Sequence, residues 1–158
     1  MAVKPIPEGY SSVTPYLIVK GASGALDFYK KAFGATERVR MAGPDGKVGH
    51  AEIQIGNSCI MLADEVLEMD ARSPESIGGS PVSIMVYVPD VDAVVGQAVK
   101  AGAKLTRPVE NQFYGDRAGA VVDPYGHKWH IATHVEDVTP EEMKKRAEAF
   151  MTKKQTPA

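Results

Sequence analysis

Two stretches of this chain read as the same βαβββ unit, and a unit that repeats constrains the fold more than any single motif can. In the first, the run Thr14 to Val19 is short, β-rich and closed by Lys20-Gly21. Ser23 is placed to cap a helix whose apolar stripe is Leu26, Tyr29, Ala32 and Phe33, and Gly34 to end it in the left-handed conformation. Residues 36–42 and 48–55 then form a hairpin about Pro44-Asp45-Gly46, and Cys59 to Ala63 follows the turn Gly56-Asn57-Ser58 as a last strand. In the second, Val82 to Val88 is a strand, and Asp90 caps a helix with the stripe Val91, Val94, Val95, Ala98 and Val99, which Gly102 stops. Residues 104–109, 117–122 and 128–134 supply three more strands. Lys31-Ala32-Phe33-Gly34-Ala35 matches Lys100-Ala101-Gly102-Ala103 at the two helix exits, and Gly56 matches Gly126 before each last strand.

The expected organisation is one α+β domain: an arm at 1–12, a first module at 13–65, a linker at 66–81, a second module at 82–137 and a helix at 139–152. In the linker, Ser73-Pro74, Gly78-Gly79 and Ser80-Pro81 break the periodicity, and the segment reads as a linker or a mobile loop. Thr139-Pro140-Glu141-Glu142 is a helix start, with Met143, Ala147 and Phe150 as a narrow stripe for the domain or for a second subunit. The tail 153–158 reads as disordered.

Charge and cysteine content limit the function classes. A net charge of -2 with the two signs interspersed gives no reason to expect nucleic acid or an anionic membrane as partner. The start carries neither a leader-like apolar run nor a transmembrane span, and a single cysteine has no internal disulfide partner, so the expected compartment is the cytoplasm. Cys59 lies in the apolar run Cys59-Ile60-Met61-Leu62-Ala63 and reads as a buried small hydrophobe rather than a reactive thiol.

Candidate site residues follow from strand alternation. Asp123-Pro124-Tyr125-Gly126 is a turn joined directly to a strand on which Lys128, His130 and His134 share one face, and Trp129, Ile131 and Thr133 the other. Trp129 reads as core, and His127 as a residue that orients the loop through a hydrogen bond. On the strand at 48–55, His50, Glu52 and Gln54 share a face, close enough along it to reach one ion or one substrate, or to be a solvated hairpin face. In a site, Glu52 is the natural general base, its pKa raised by desolvation, with His50 or His130 able to polarise or protonate an oxygen. Arg117 reads either as a clamp for a carboxylate or phosphonate or as a surface residue paired with Asp116 or Asp123. Tyr16, Met85 and Tyr87 share strand faces with these positions, as packing residues or as ligand contacts.

Two βαβββ modules, the exit Phe33-Gly34-Ala35, Gly115-Asp116-Arg117 before the last hairpin, Asp123 to Trp129, and the ending Thr133-His134-Val135-Glu136-Asp137 together resemble the vicinal oxygen chelate superfamily. That superfamily takes in glyoxalase I, extradiol dioxygenases, and the fosfomycin and bleomycin resistance proteins; the motifs resemble its PhnB-like branch in particular. The resemblance implies the glyoxalase/bleomycin-resistance fold, with paired half-barrel sheets about a cleft. It also implies a small-molecule ligand and a homodimer, to whose interface the helix at 139–151 is one candidate contributor.

Metal-dependent members place ligands, usually His and Glu, on the first and last strand of each module. Carried over, those positions are Thr14, Met61 (or Ile60), Ser83 and His130, of which only His130 is a good ligand for a divalent metal. His50 and Glu52 remain as candidates for a displaced site that His130 joins across the cleft. The implied function is then either a lyase, isomerase or dioxygenase acting on adjacent oxygens with a metal in an unusual ligand set, or a metal-independent protein that sequesters an antibiotic or metabolite. A scaffold or regulatory protein is the third reading. The ligand contacts expected in either binding reading are Thr14, Tyr16, Gln54, Met61, Ser83, Tyr87 and Arg117, with His50, Glu52 and His130 as the reactive groups of an enzyme.

Overall fold

A computed structural model describes residues 3–155 of the chain. The first module comprises β1 (Tyr16–Val19), α1 (Ala22–Phe33), β2 (Thr36–Ala42), β3 (Val48–Ile55) and β4 (Ser58–Asp64). The segment that the sequence marks as a break holds a 3₁₀ turn at Leu67–Met69 and the one-turn helix α2 (Pro74–Ile77). Ser73 caps α2, its Oγ accepting from the Ser76 N–H. The second module comprises β5 (Ser83–Tyr87), α3 (Val91–Lys100), β6 (Lys104–Asn111), β7 (Asp116–Val122) and β8 (Lys128–His134). α4 (Pro140–Gln155) follows, so residues 153–155 continue a helix rather than begin a disordered tail. The rest of that expected tail, 156–158, and residues 1–2 of the expected arm lie outside the described residues.

Each module makes one four-stranded sheet, in the orders β1-β4-β3-β2 and β5-β8-β7-β6. In both, the first strand runs parallel to the last and the remaining pairs are antiparallel. The two sheets therefore repeat one topology, as the sequence repeat requires.

The helices cover one face of each sheet and pack on each other, α1 against α3. Leu17, Val19, Ile53 and Leu62 of the first sheet join Val121, Trp129 and Ile131 of the second in one cluster with Leu26, Tyr29, Val91 and Val95. Gln97 fastens the helix pair, its Nε2 donating to the Lys31 carbonyl.

Each module's last strand also caps its own helix. The expected cap of α1, Ser23, is not used: the helix begins at Ala22, and Asp64 at the end of β4 accepts from the Gly21 and Ala22 N–H groups, both at 2.8 Å. A carboxylate at a helix N-terminus satisfies orphan donors and opposes the dipole. In the second module, Thr133 near the end of β8 accepts from the Val91 N–H at 2.9 Å and donates to the Val88 carbonyl. Asp90 caps the same helix as the sequence predicts, accepting from Ala93 N at 3.0 Å.

The turn between β7 and β8 locks the modules together. Asp123 is buried, and its Oδ1 accepts from the Tyr125 and His127 N–H groups, both at 2.9 Å. Its Oδ2 accepts from the Tyr29 hydroxyl of α1 at 2.8 Å and from the indole N–H of Trp129 at 2.9 Å. His127 then donates from Nε2 to the Ile18 carbonyl of β1 at 3.0 Å, the orienting bond expected of it. Gly126 has φ +89°, and a Cβ there would sit 2.7 Å from the Pro74 side chain, so the turn requires glycine for both conformation and space.

Removing a carboxylate that satisfies four donors leaves buried N–H and O–H groups unpaired. Asp123→Ala is expected to lower the unfolding free energy by roughly 3 kcal/mol, read as a lower urea midpoint at unchanged slope. A loss below about 0.5 kcal/mol, the range of ordinary surface substitutions, would show that the turn is not a lock.

Candidate functional site

The faces away from the helices carry a mix of polar and apolar side chains. On the first sheet these are Tyr16 and Ile18 of β1, His50, Glu52 and Gln54 of β3, and Cys59 and Met61 of β4. On the second they are Ser83, Met85 and Tyr87 of β5, Ala118 and Ala120 of β7, and His130 of β8. Tyr16, Met85 and Tyr87 stand 48%, 46% and 62% exposed there, where water normally meets polar groups.

On the first sheet a hydrogen-bonded chain crosses the open face. The Tyr16 hydroxyl lies 2.9 Å from His50 Nδ1, His50 Nε2 lies 3.2 Å from Glu52 Oε1, and the Tyr10 hydroxyl donates to Glu52 Oε2 at 2.5 Å. An ionised carboxylate only accepts, so with one proton on the ring Nε2 donates to Glu52 and Nδ1 accepts from Tyr16. The His50 and Glu52 pair predicted from the strand alternation is therefore present, with Tyr16 at its exposed end.

Tyr10 was not legible as a site residue, because it lies 42 positions before Glu52 on the N-terminal arm. Arg38 was not either. The register of β2 on β3 shifts between Glu37 and Val39, and the guanidinium at that irregularity reaches the Gly9 carbonyl at 3.2 Å and Gln54 Oε1 at 3.5 Å while lying 4.8 Å over the Tyr10 ring.

These neighbours reverse the titration expected of Glu52. The Tyr10 hydroxyl, and then His50 and Arg38, hold its carboxyl below the ordinary range even though burial pushes the other way. Glu52 is thus an anion that orients His50, and not a carboxyl tuned toward neutral pH. Burial pushes the Tyr16 hydroxyl up, which keeps it a proton donor. Burial, followed by Glu52, also raises the Cys59 thiol, whose Sγ lies 3.9 Å from Glu52 Oε2; the small buried hydrophobe is the right description.

On the second sheet, Tyr87 donates to Asp116 Oδ2 at 2.9 Å, and Asp116 Oδ1 lies 2.8 Å from His134 Nδ1. The Nε2 of His134 lies 3.0 Å from Asp137. Asp116, a buried acid that fixes the Tyr87 ring, is a third residue that strand alternation did not single out.

Of the two readings of Arg117, anion clamp or ion-paired surface residue, the structure shows an ion pair, with a partner other than the two expected. It pairs with Thr133, in the row that continues to Gly119 and Val121 on the helix side, and its Nε and Nη2 donate to Asp92 of α3 at 2.7 Å each. The fork is therefore engaged by a residue of α3, and neither Asp116 nor Asp123 is its partner.

The strand register also moves the metal positions that the resemblance implied. Thr14 precedes β1 and donates to the Ser11 carbonyl, and Ser83 is paired with Lys128. The residue level with Met61 is Tyr16, and the residue level with His130 is Met85. A phenol, two thioethers and one imidazole are not a donor set for a divalent metal that needs several hard or borderline ligands. Among the described residues no three His, Cys, Asp or Glu side chains converge as a metal site. His130 lies on the other sheet from His50 and Glu52, has no hydrogen-bond partner among the described residues, and is not joined to the pair.

Known proteins place these features in context. The family profile described as Glyoxalase/Bleomycin resistance protein/Dioxygenase superfamily matches residues 11–131. Rv0887c, an uncharacterized protein of Mycobacterium tuberculosis, is 43% identical over 135 residues, covering 84% of this chain and 79% of that one. The solved structure of the Arabidopsis thaliana gene product At5g48480 superposes with a TM-score of 0.62 at 29% identity, covering 78% of this chain and 98% of that chain. The PhnB protein of Bacillus cereus superposes with a TM-score of 0.61, covering 78% and 99%, at 18% identity, a likeness of fold alone. Among the described residues no helix is long and apolar enough to cross a membrane.

The bridge at His134 sets a pH dependence. Both ring nitrogens face carboxylate oxygens, so both bonds exist only when both nitrogens carry protons, and Asp116 and then Asp137 raise the His134 pKa. A raised folded value makes this stabilisation complete below the unfolded pKa of about 6.5 and lost as the pH rises through the folded value. The urea midpoint of the wild-type protein is expected to fall relative to that of His134→Gln between about pH 6 and 8. Parallel curves would show that His134 does not bridge.

Proposed function

The chain belongs to the Glyoxalase/Bleomycin resistance protein/Dioxygenase superfamily, and we propose that within it this protein binds a small molecule on the open face of the first sheet without a metal. The observation that carries the reading is the half-exposed Tyr16 hydroxyl, held by His50, which is held in turn by the buried anion Glu52. A side chain fixed in this way meets a ligand with its rotamer already selected, which lowers the entropic cost of binding. The Tyr16 oxygen retains a lone pair for a ligand donor, and the hydroxyl can turn its proton toward a ligand oxygen when His50 is protonated. Tyr10 and Arg38 shield the far end of Glu52 and keep its charge on His50 rather than in water.

The other functional reading, a lyase or dioxygenase acting on adjacent oxygens, needs a metal held by donors that the strand register does not bring together. Sequestration without chemistry needs only shape and hydrogen bonding, which these residues supply. We also propose a homodimer in the cytoplasm, on the support of the exposed Tyr16, Met85 and Tyr87 and of a lone buried cysteine.

The test is thermal denaturation with a panel of metabolites and antibiotics, run beside elemental analysis of untagged protein. The panel is expected to yield a ligand that raises Tm by roughly 5 to 10 °C at about 100 times its Kd. Chelators are expected to leave Tm unchanged, and His50→Ala and Tyr16→Phe to bind that ligand more weakly. About one equivalent of metal per chain that disappears in His130→Ala would overturn the metal-free reading. Equal ligand affinity in both site variants would overturn the assignment to this face.

A further inference from the structure

A cavity of about 280 Å³ lies where the two modules meet, between the edge strands β1 and β5 and the linker residues near α2. Its walls are largely apolar, with Ile18, Ile77, Val82 and Ile84 among them, and among the described residues no Asp or Glu lines it. Ile77 and Val82 line it and are 55% and 66% exposed overall, so a ligand there would remove apolar surface from water. Tyr16 is a shared wall: it lines the cavity, and its hydroxyl belongs to the chain that ends on Glu52.

The cavity has one cationic side chain with donors to spare. Arg72 lines it and gives its Nε to Asp70 at 2.7 Å, and neither Nη1 nor Nη2 has a partner among the described residues. Asp70 is the only non-glycine residue with positive φ (56°) among the described residues, at the end of the 3₁₀ turn, and from there it fixes the Nε edge of the guanidinium. The planar fork left over matches the two oxygens of a carboxylate. Asp70 already balances the guanidinium charge, so a ligand here adds negative charge beside an apolar wall, and a monoanion adds less of it than a dianion such as phosphate.

We propose that this cavity binds a small monocarboxylic acid, with its apolar body against Ile18, Ile77, Val82 and Ile84 and its carboxylate on Arg72. The assignment names a ligand class for the binding protein described above and rests on that reading, because Tyr16 belongs to both. The linker then acts as part of the binding surface as well as a connection, since Arg72 and Ile77 both come from it.

The test is calorimetric titration of the full chain with hexanoate and with hexan-1-ol, which share an apolar body and differ in charge. Hexanoate is expected to bind saturably, and Arg72→Gln to weaken it roughly 10-fold while leaving hexan-1-ol unchanged, the size expected for losing a charged hydrogen-bonding partner. Val82→Trp, at an exposed wall position, is expected to abolish binding of both probes. Unchanged hexanoate affinity in Arg72→Gln overturns the carboxylate assignment while leaving ligand binding itself standing. Absence of saturable binding by either probe overturns the cavity as a ligand site, and the panel with His50→Ala then reads the open-face site separately.

Discussion

The carboxylate of Asp123 is the interaction on which the rest of the arrangement depends. A buried anion is tolerated only when donors replace its water, and here two backbone N–H groups, a phenol and an indole do so. Two of those donors belong to the turn itself, one to the helix of the other module and one to the strand that follows. The same group therefore shapes the turn, sets Trp129 into the aromatic cluster with Tyr29 and Phe33, and fixes α1 against the second sheet. The Tyr29 hydroxyl, deep in that cluster, is pushed well above its ordinary pKa, by burial first and then by Asp123, so it remains a donor at any pH the fold survives.

Fastening both helices to one side of the sheets decides where a site can be. Each four-stranded sheet has one face committed to the core, so every alternate strand residue on the other face is left to solvent or to a ligand. Polar groups on such a face would ordinarily be mobile. Here they are tied in short chains, Tyr16 through His50 to Glu52 on one sheet and Tyr87 through Asp116 to His134 on the other. Both chains run through a buried acid, Glu52 or Asp116, and both hold an aromatic ring in a fixed, exposed position.

Strand alternation and the internal repeat made the fold and half of this site readable from the sequence. Ala51, Ile53 and Ile55 alternate with His50, Glu52 and Gln54, so the pair on one face follows from a period of two alone. Arg117 was unreadable for the opposite reason: β7 reads Asp-Arg-Ala-Gly-Ala-Val-Val, small or apolar on both faces, and nothing in it says which side the guanidinium takes. Only the pairing of Arg117 with Thr133, which caps α3, puts it beside Asp92. The titration of Glu52 was equally hidden, because its strongest partner comes from an arm with no periodicity, and desolvation alone points in the wrong direction. Thr14 falls before β1 and two residues short of the position level with Met61, while Ser83 lies on β5 as expected but two residues from the position level with His130, an offset that preserves the face and changes the neighbour.

That offset bears on what the scaffold has become. The positions level with each other on the first and last strands are Tyr16 with Met61 and Met85 with His130. Three of these four side chains are large, polarizable and weakly coordinating, which suits them to packing against a ligand body and not to holding a cation. The charge in the first sheet lies instead one strand away, on Glu52, and is held there by hydrogen bonds from Tyr10 and His50 with Arg38 nearby. A face built this way presents hydrogen bonds and apolar area. On the proposed reading, ligand discrimination on this face would come from shape and hydrogen bonding, and at the separate module junction from the Arg72 donors left free by Asp70.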